Sequence, residues 1–244
     1  MTVTNAVSGT NVEEIGDGIV RISTPVDLPG LPGGFTFNQF LVLDDEPLLF
    51  HTGPRRMFPL VREAVAHVVP LERLRYIAFS HVEADECGSL NEWLAAAPRS
   101  QPVCGDLAAM VSIADLADRP PRALADGEGI CLGQRTLTWL HTPHLPHAME
   151  CGYLYDDRAK ALLCGDLFSQ PGRATAAVTE SAAAVWEPSE AMRGGFPYAS
   201  LRDPRPGIEK LAATRPELLA CMHGMSFRGD GASLLRQLGE ALAQ

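Results

Sequence analysis

The chain has 244 residues, 46% of them hydrophobic and 20% charged, an ordinary balance for a globular protein. Its formal charge of −10 argues against nucleic-acid and anionic-membrane partners, because phosphate surfaces demand clustered Lys and Arg. The N-terminus has no basic start followed by an apolar core, so no signal peptide is expected, and no apolar run approaches the ~20 residues that span a bilayer. Six scattered cysteines with no CxxC spacing read as reduced thiols in a cytoplasmic protein. Cys87 and Cys221 are the two near candidate ligands.

The opening third reads as strands. "GIVRIST" is a short β run, and "FTFNQFLVLDDEPLLFHTG" is a hairpin turning at Asp44-Asp45-Glu46-Pro47. Pro54 opens an amphipathic helix to about Val69, with Phe58, Val61 and Val65 on one face. "LRYIAFSH" is a buried strand ending at His81, and "GSLNEWLAAAP" a helix stopped by Pro98. Next come a strand at "QPVCG", a helix from about Asp106 with that residue as its cap, and two strands around Gly133. "CGYLYDDRAKALLCGD" is a hairpin turning at Asp156-Asp157, and residues 171–200 carry no clear period. The chain closes with a helix at "RPGIEKLAATRP", a strand at "ELLACMHG" and a C-terminal helix. Strands followed by mixed units predict two packed sheets with helices outside, in one domain over 1–244.

Polar residues stand just past the ends of several strands. "FSHVEADECG" puts His81, Glu83, Asp85 and Glu86 within six positions, with no Lys or Arg among them. Buried carboxylates left unpaired cost several kcal/mol, so a divalent metal pair is the natural partner. "HTPHLPHAM" adds His141, His144 and His147, "LLCGDLFS" adds Asp166, "ACMHGMSF" adds His223, and "LLFHTG" adds His51. Imidazole nitrogen with several carboxylate oxygens suits iron, manganese or zinc, and the carboxylate excess favours iron over a nitrogen-rich zinc site.

The order of hairpin, HxExD, TPHLPHAM, GD and HG resembles the metallo-β-lactamase superfamily. Within it, Glu83 in place of a histidine resembles the diiron domain of the flavodiiron proteins. The resemblance runs from about Val12 to Gln244 and implies an α+β, αββα sandwich. It implies one iron on His81, Glu83 and His144, a second on Asp85 and His223, and Asp166 bridging them. Glu86 departs from the superfamily's usual histidine and is left open, as a ligand or a hydrogen-bond acceptor. His51, His141 and His147 match no ligand position and are assigned as supporting groups or pocket walls.

The resemblance also implies a site that binds dioxygen, or nitric oxide, and reduces it. Flavodiiron proteins continue into a flavin-holding flavodoxin domain; with none in this sequence, no flavin is expected, and electrons would come from a rubredoxin-like or flavodoxin-like donor. A homodimer is compatible with this. The rivals are a dizinc hydrolase on the same scaffold and a non-catalytic gas sensor.

Overall fold

The computed structural model describes residues 1–244, the side chain of Pro32 excepted. Eight strands form a first sheet in the order of the chain: β1 (Thr2–Asn5), β2 (Thr10–Gly16), β3 (Ile19–Leu28), β4 (Leu31–Val42), β5 (Leu48–Phe50), β6 (Tyr76–Ala78), β7 (Gln101–Gly105) and β8 (Arg122–Leu124). The pairs up to β4–β5 are antiparallel, and those from β5 to β8 are parallel. The second sheet holds β9 (Gly129–Cys131), β10 (Thr136–His141), β11 (Gly152–Asp156), β12 (Ala161–Leu163), β13 (Val178–Thr179), β14 (Leu218–Ala220) and β15 (Ser226–Arg228). Its order is β13-β15-β14-β12-β11-β10-β9.

Strand period two explains the layering. Phe40 and Val42, then Leu48 and Phe50, face the second sheet; Leu41 and Leu49 between them face the outer helices. On the other side Ala161, Leu163, Leu218 and Ala220 face the first sheet, while Leu162 and Leu219 face outward. Both faces of each inner strand are therefore apolar, which is why these runs read as buried and not amphipathic.

Helices α1 (Phe58–Val68), α2 (Ala84–Cys87) and α3 (Leu90–Ala96) follow strands of the first sheet, with Val61, Val65, Trp93 and Leu94 packed beneath it. Helices α4 (Asp106–Ala108) and α5 (Ala114–Leu116) are joined through a wider π turn over Ala109–Ile113. Asp106 is the first helical residue and not the cap: Gly105 takes that position. Helices α6 (Ala182–Arg193), α7 (Arg205–Ala212) and α8 (Gly231–Leu242) cover the second sheet through Val185, Ile208, Leu211, Leu235 and Leu238. The result is the expected αββα sandwich. No helix is long and apolar enough to cross a membrane.

One end of the sandwich is closed by a buried cation. Arg135, in the β9–β10 turn, donates from Nη1 to Asp156 Oδ2 at 2.7 Å and to Asp17 O at 2.8 Å. Its backbone N–H donates to Asp44 Oδ2 at 2.8 Å. Asp17 and Asp44 lie in turns of the first sheet, so this side chain ties the two sheets together. Arg135→Met is expected to lower stability by about 3–5 kcal/mol, because Asp156 would keep a buried, unpaired charge. The double variant Arg135→Met with Asp156→Asn should regain much of that loss in urea unfolding.

Candidate metal centre

The opposite end of the sandwich collects the acids and imidazoles. His81 lies just past β6, and the loop that carries it is held at three points. Val82 N donates to Glu150 Oε1 at 3.1 Å, Thr52 N to Glu86 O at 2.8 Å and Gly53 N to Asp85 O at 3.1 Å. Glu83 is the residue before α2, so the short helix starting at Ala84 turns Asp85 and Glu86 back under His81.

Asp166 and His223 follow the parallel pair β12 and β14, and each has a glycine beside it. Gly165 has φ +48°, and a Cβ there would lie 2.9 Å from Tyr153 and 3.0 Å from Ser80. Gly224 has φ +88°, and a Cβ would lie 2.6 Å from Gln170. The GD and HG pairs are thus demanded by the backbone as well as by the acid and the imidazole.

The side chains converge closely. His81 Nε2 is 3.1 Å from Glu83 Oε2 and 2.9 Å from His147 Nε2, and His147 Nε2 is 3.0 Å from Glu83 Oε2. Asp166 Oδ2 is 3.6 Å from both of those imidazole nitrogens. Its other oxygen, Oδ1, is 3.3 Å from His223 Nε2, which is also 3.3 Å from Asp85 Oδ2. Glu86 Oε2 stands 3.9 Å from His81 Nε2. Asp166 therefore faces two donor sets, one with each carboxylate oxygen.

The histidine that the structure brings beside His81, Glu83 and Asp166 is His147; His144 is in neither grouping of possible metal ligands. His144 has φ +63°, donates its backbone N–H to Ala148 O at 2.9 Å and is exposed. Leu145, only 2% exposed, pins the loop into the core, and the chain returns two residues later with His147 at the cleft. His141 pairs with Asp106 at 3.5 Å and is in neither grouping of possible metal ligands. His51 does support the site. Its Nε2 meets Ser80 Oγ at 3.0 Å, and that hydroxyl meets His81 Nδ1 at 2.9 Å.

Other orienting contacts were not legible in the sequence. His223 donates from Nδ1 to Thr36 O at 2.8 Å and stacks on Phe35 at 4.3 Å. Asn38 donates to Cys221 O and Gly224 O at 2.9 and 3.0 Å. Thr36 and Asn38 alternate with aromatics in "FTFNQF", the pattern of a strand with one wet face, yet both are buried and hold the His223 loop. A cavity of about 430 Å³ opens over the cluster, walled by Phe35, Pro146, Met192, Phe196 and Tyr198.

Charge balance is the chemical problem of this cleft. Among the described residues, the cations within 4 Å of its carboxylates are imidazoles only. Burial opposes charge on His81, but the Cys151 thiol, Glu83 and Glu86 outweigh it and hold the imidazole at about 12. Burial also opposes charge on His223, where Asp166 and Asp85 win and raise it to about 10. Hydrogen bonds from His147 and His81 draw Glu83 well below its usual range. Burial would raise Asp166, but His223 outweighs it and holds the acid at about 2. Burial, then the Asp166 charge, push Glu86 well up. His51, sealed from water, falls to about 3 and stays neutral.

The donor set fits a pair of metal ions. Both oxygens of Glu86 and Asp166 Oδ1 are buried without a hydrogen-bond partner. Two groupings bring ligand atoms within 4.8 Å of one another: His81, Glu83, His147 and Asp166, and Glu83, Asp85 and Glu86.

The model of the ODP family beta lactamase matches residues 35–224. The chain belongs to this family. It is 29% identical over 209 residues to the rubredoxin-oxygen oxidoreductase of Megalodesulfovibrio gigas, covering 81% of this chain and 50% of that protein. The chain thus spans about half the length of that relative, and less of the others. Its fold matches a flavoprotein from Thermotoga maritima with a TM-score of 0.84 at 19% identity, over 96% of this chain and 61% of that one. A metal-soaked flavodiiron core from Synechocystis matches with a TM-score of 0.82 at 21% identity, over 96% and 60%. The fold is the metallo-β-lactamase-like fold of flavodiiron cores.

A proton count tests the charge balance. The acids raise the imidazoles of His81 and His223 to about 12 and about 10, so metal ligation through them would displace a proton from each at pH 7. Loading with Zn²⁺ is expected to release about two protons per chain, with apparent affinity rising as pH rises toward 10. Calorimetry in buffers of different ionisation enthalpy measures the number; zero release would contradict the assignment.

Proposed function

We propose that this chain is a non-haem diiron protein that reduces dioxygen, with nitric oxide as a further ligand, using electrons from a separate rubredoxin-like or flavodoxin-like donor. The observation that carries the reading is Asp166, whose two oxygens face two separate histidine–carboxylate sets. The name of one relative, rubredoxin-oxygen oxidoreductase, supports the direction of the chemistry.

His81, Glu83 and His147 would hold one iron, Asp85 and His223 the other, with Asp166 shared and Glu86 available to the second. When bound, the irons would supply electrons and a Lewis-acidic seat for the diatomic gas. The residues of the chain do the rest. Ser80 and His51 fix the imidazole of His81 through its Nδ1, and Thr36 fixes His223 in the same way, leaving each Nε2 aimed into the cleft. Aromatic and proline side chains wall the cavity, while Glu83 and His147 on its rim remain open to water. Glu86, buried and pushed up, is suited to hold a proton next to His81. Full reduction of dioxygen consumes four electrons and four protons to give two waters, so proton supply matters as much as electron supply.

The test is anaerobic ferrous loading, metal analysis, and oxygen uptake with a chemically reduced rubredoxin. About two irons per chain and donor-dependent uptake are expected. His147→Ala should lose at least one of the metals and lower uptake on the order of 100-fold, whereas His144→Ala should keep both. The reverse pattern would restore His144 as the ligand. Two bound metals with no uptake under any donor would remove the reductase reading.

A further inference from the structure

Two thiols lie directly behind the strand ends that present Asp166 and His223. β12 and β14 run parallel, with Leu163 beside Ala220 and Cys164 N donating to Ala220 O at 3.1 Å. The next residues on the two strands, Cys164 and Cys221, are therefore lateral neighbours. Their sulfurs are 3.8 Å apart, and neither residue is exposed at all. Adjacent strands lie about 4.8 Å apart, inside the range of Cα separations that disulfides bridge, so closure asks for side-chain rotation more than for strand movement. Each thiol stands two residues ahead of a cleft residue, Cys164 before Asp166 and Cys221 before His223.

We propose that Cys164 and Cys221 form a redox-active dithiol that hydrogen peroxide converts to a disulfide, joining the two loops that carry Asp166 and His223. Two S–H bonds and the O–O bond of the peroxide break. One S–S bond forms, the thiol protons pass to the peroxide oxygens, and two waters leave. The dithiol gives up two electrons and the peroxide takes them. Peroxide is the two-electron reduction product of dioxygen, so a protein handling that gas meets it locally. One of the two thiols must deprotonate to attack the peroxide, and burial beside Cys221 pushes the Cys164 thiol up, so the cross-link forms slowly, whichever metal the cleft takes.

Burial selects the oxidant. A small neutral molecule reaches an interior thiol through brief local openings, while a bulky disulfide such as oxidised glutathione needs a much larger opening. The remaining thiols serve as internal comparisons. Cys131 is exposed, Cys87 is half-buried and donates to Glu83 O at 3.4 Å, Cys104 is buried, and Cys151 is buried and donates to Leu145 O at 3.0 Å.

The test uses the full chain carrying Cys87→Ser and Cys131→Ser, alongside the unaltered chain. The reduced, folded protein is treated with one equivalent of hydrogen peroxide, alkylated under denaturing conditions and mapped by mass spectrometry. The expected result is loss of two alkylatable thiols, a peptide pair joined through Cys164 and Cys221, and full reversal by dithiothreitol. Oxidised glutathione at the same concentration should give about tenfold less cross-link. Cys221→Ala should abolish the cross-link while Cys151 remains alkylatable. Recovery of both Cys164 and Cys221 as alkylated peptides after peroxide has been consumed would overturn the proposal, as would a cross-link through Cys151. Both readings come from the unaltered chain as well, so a variant that fails to fold does not decide the outcome.

Discussion

Four carboxylates share one cleft, and among the described residues no arginine or lysine comes within 4 Å of them (Arg193 lines the same cavity but is paired with Glu190), so the rest of the site depends on how their charge is met. Glu86 is fully buried, and Asp85 and Asp166 are largely so. Carboxylates this close repel one another, and burial sharpens the repulsion. In the metal-free protein the imidazoles of His81 and His223, both raised by the acids around them, supply the compensating charge, while burial pushes the Glu86 carboxyl well up. Every orienting contact around the cleft serves this arrangement. Ser80 and Thr36 occupy the outer ring nitrogens, so that the inner nitrogens face the acids.

The scaffold can afford such a cluster because it is rigid elsewhere. The inner strands are apolar on both faces, and the cleft side chains come from where those strands stop. β6, β12 and β14 each end within a few residues of a cleft side chain, and the glycines beside Asp166 and His223 let the chain turn sharply at that point. A substitution at either glycine would move a ligand before it disturbed the core.

Much of this was legible in the sequence, and the exceptions have physical reasons. Apolar runs gave the strands and outer helices, and HxExD, GD and HG pointed to acids and imidazoles that the structure brings together in one cleft. The N-terminal hairpin of β1 and β2 and the short strand β15 carry weak periodicity and escape a pattern reading. The 171–200 stretch hides β13 and α6 because alanine and proline dilute its hydrophobic face. The choice between His144 and His147 turned on loop geometry. Three histidines spaced by three residues look equivalent until Leu145 is known to be buried and His144 is known to sit at φ +63°. Thr36 and Asn38 were invisible for a related reason: alternation says which residues share a face, but not whether that face meets water or a loop.

The two ends of the sandwich solve the same electrostatic problem in opposite ways. At the Arg135 end, Asp156, Asp44 and Asp17 are met by a guanidinium that belongs to the chain and never loses its charge. That end is closed, and its chemistry is structural. At the cleft end the compensating charge sits on imidazole protons, which can leave. A fixed cation there would neutralise the acids equally well and would also fill the space between them. Histidine leaves the positions open to exchange, with one kind of positive charge traded for another as the protons depart. Residues that are expensive to bury thus remain near each other without a permanent partner, and that is the property that separates a metal-accepting cleft from a salt-bridged core.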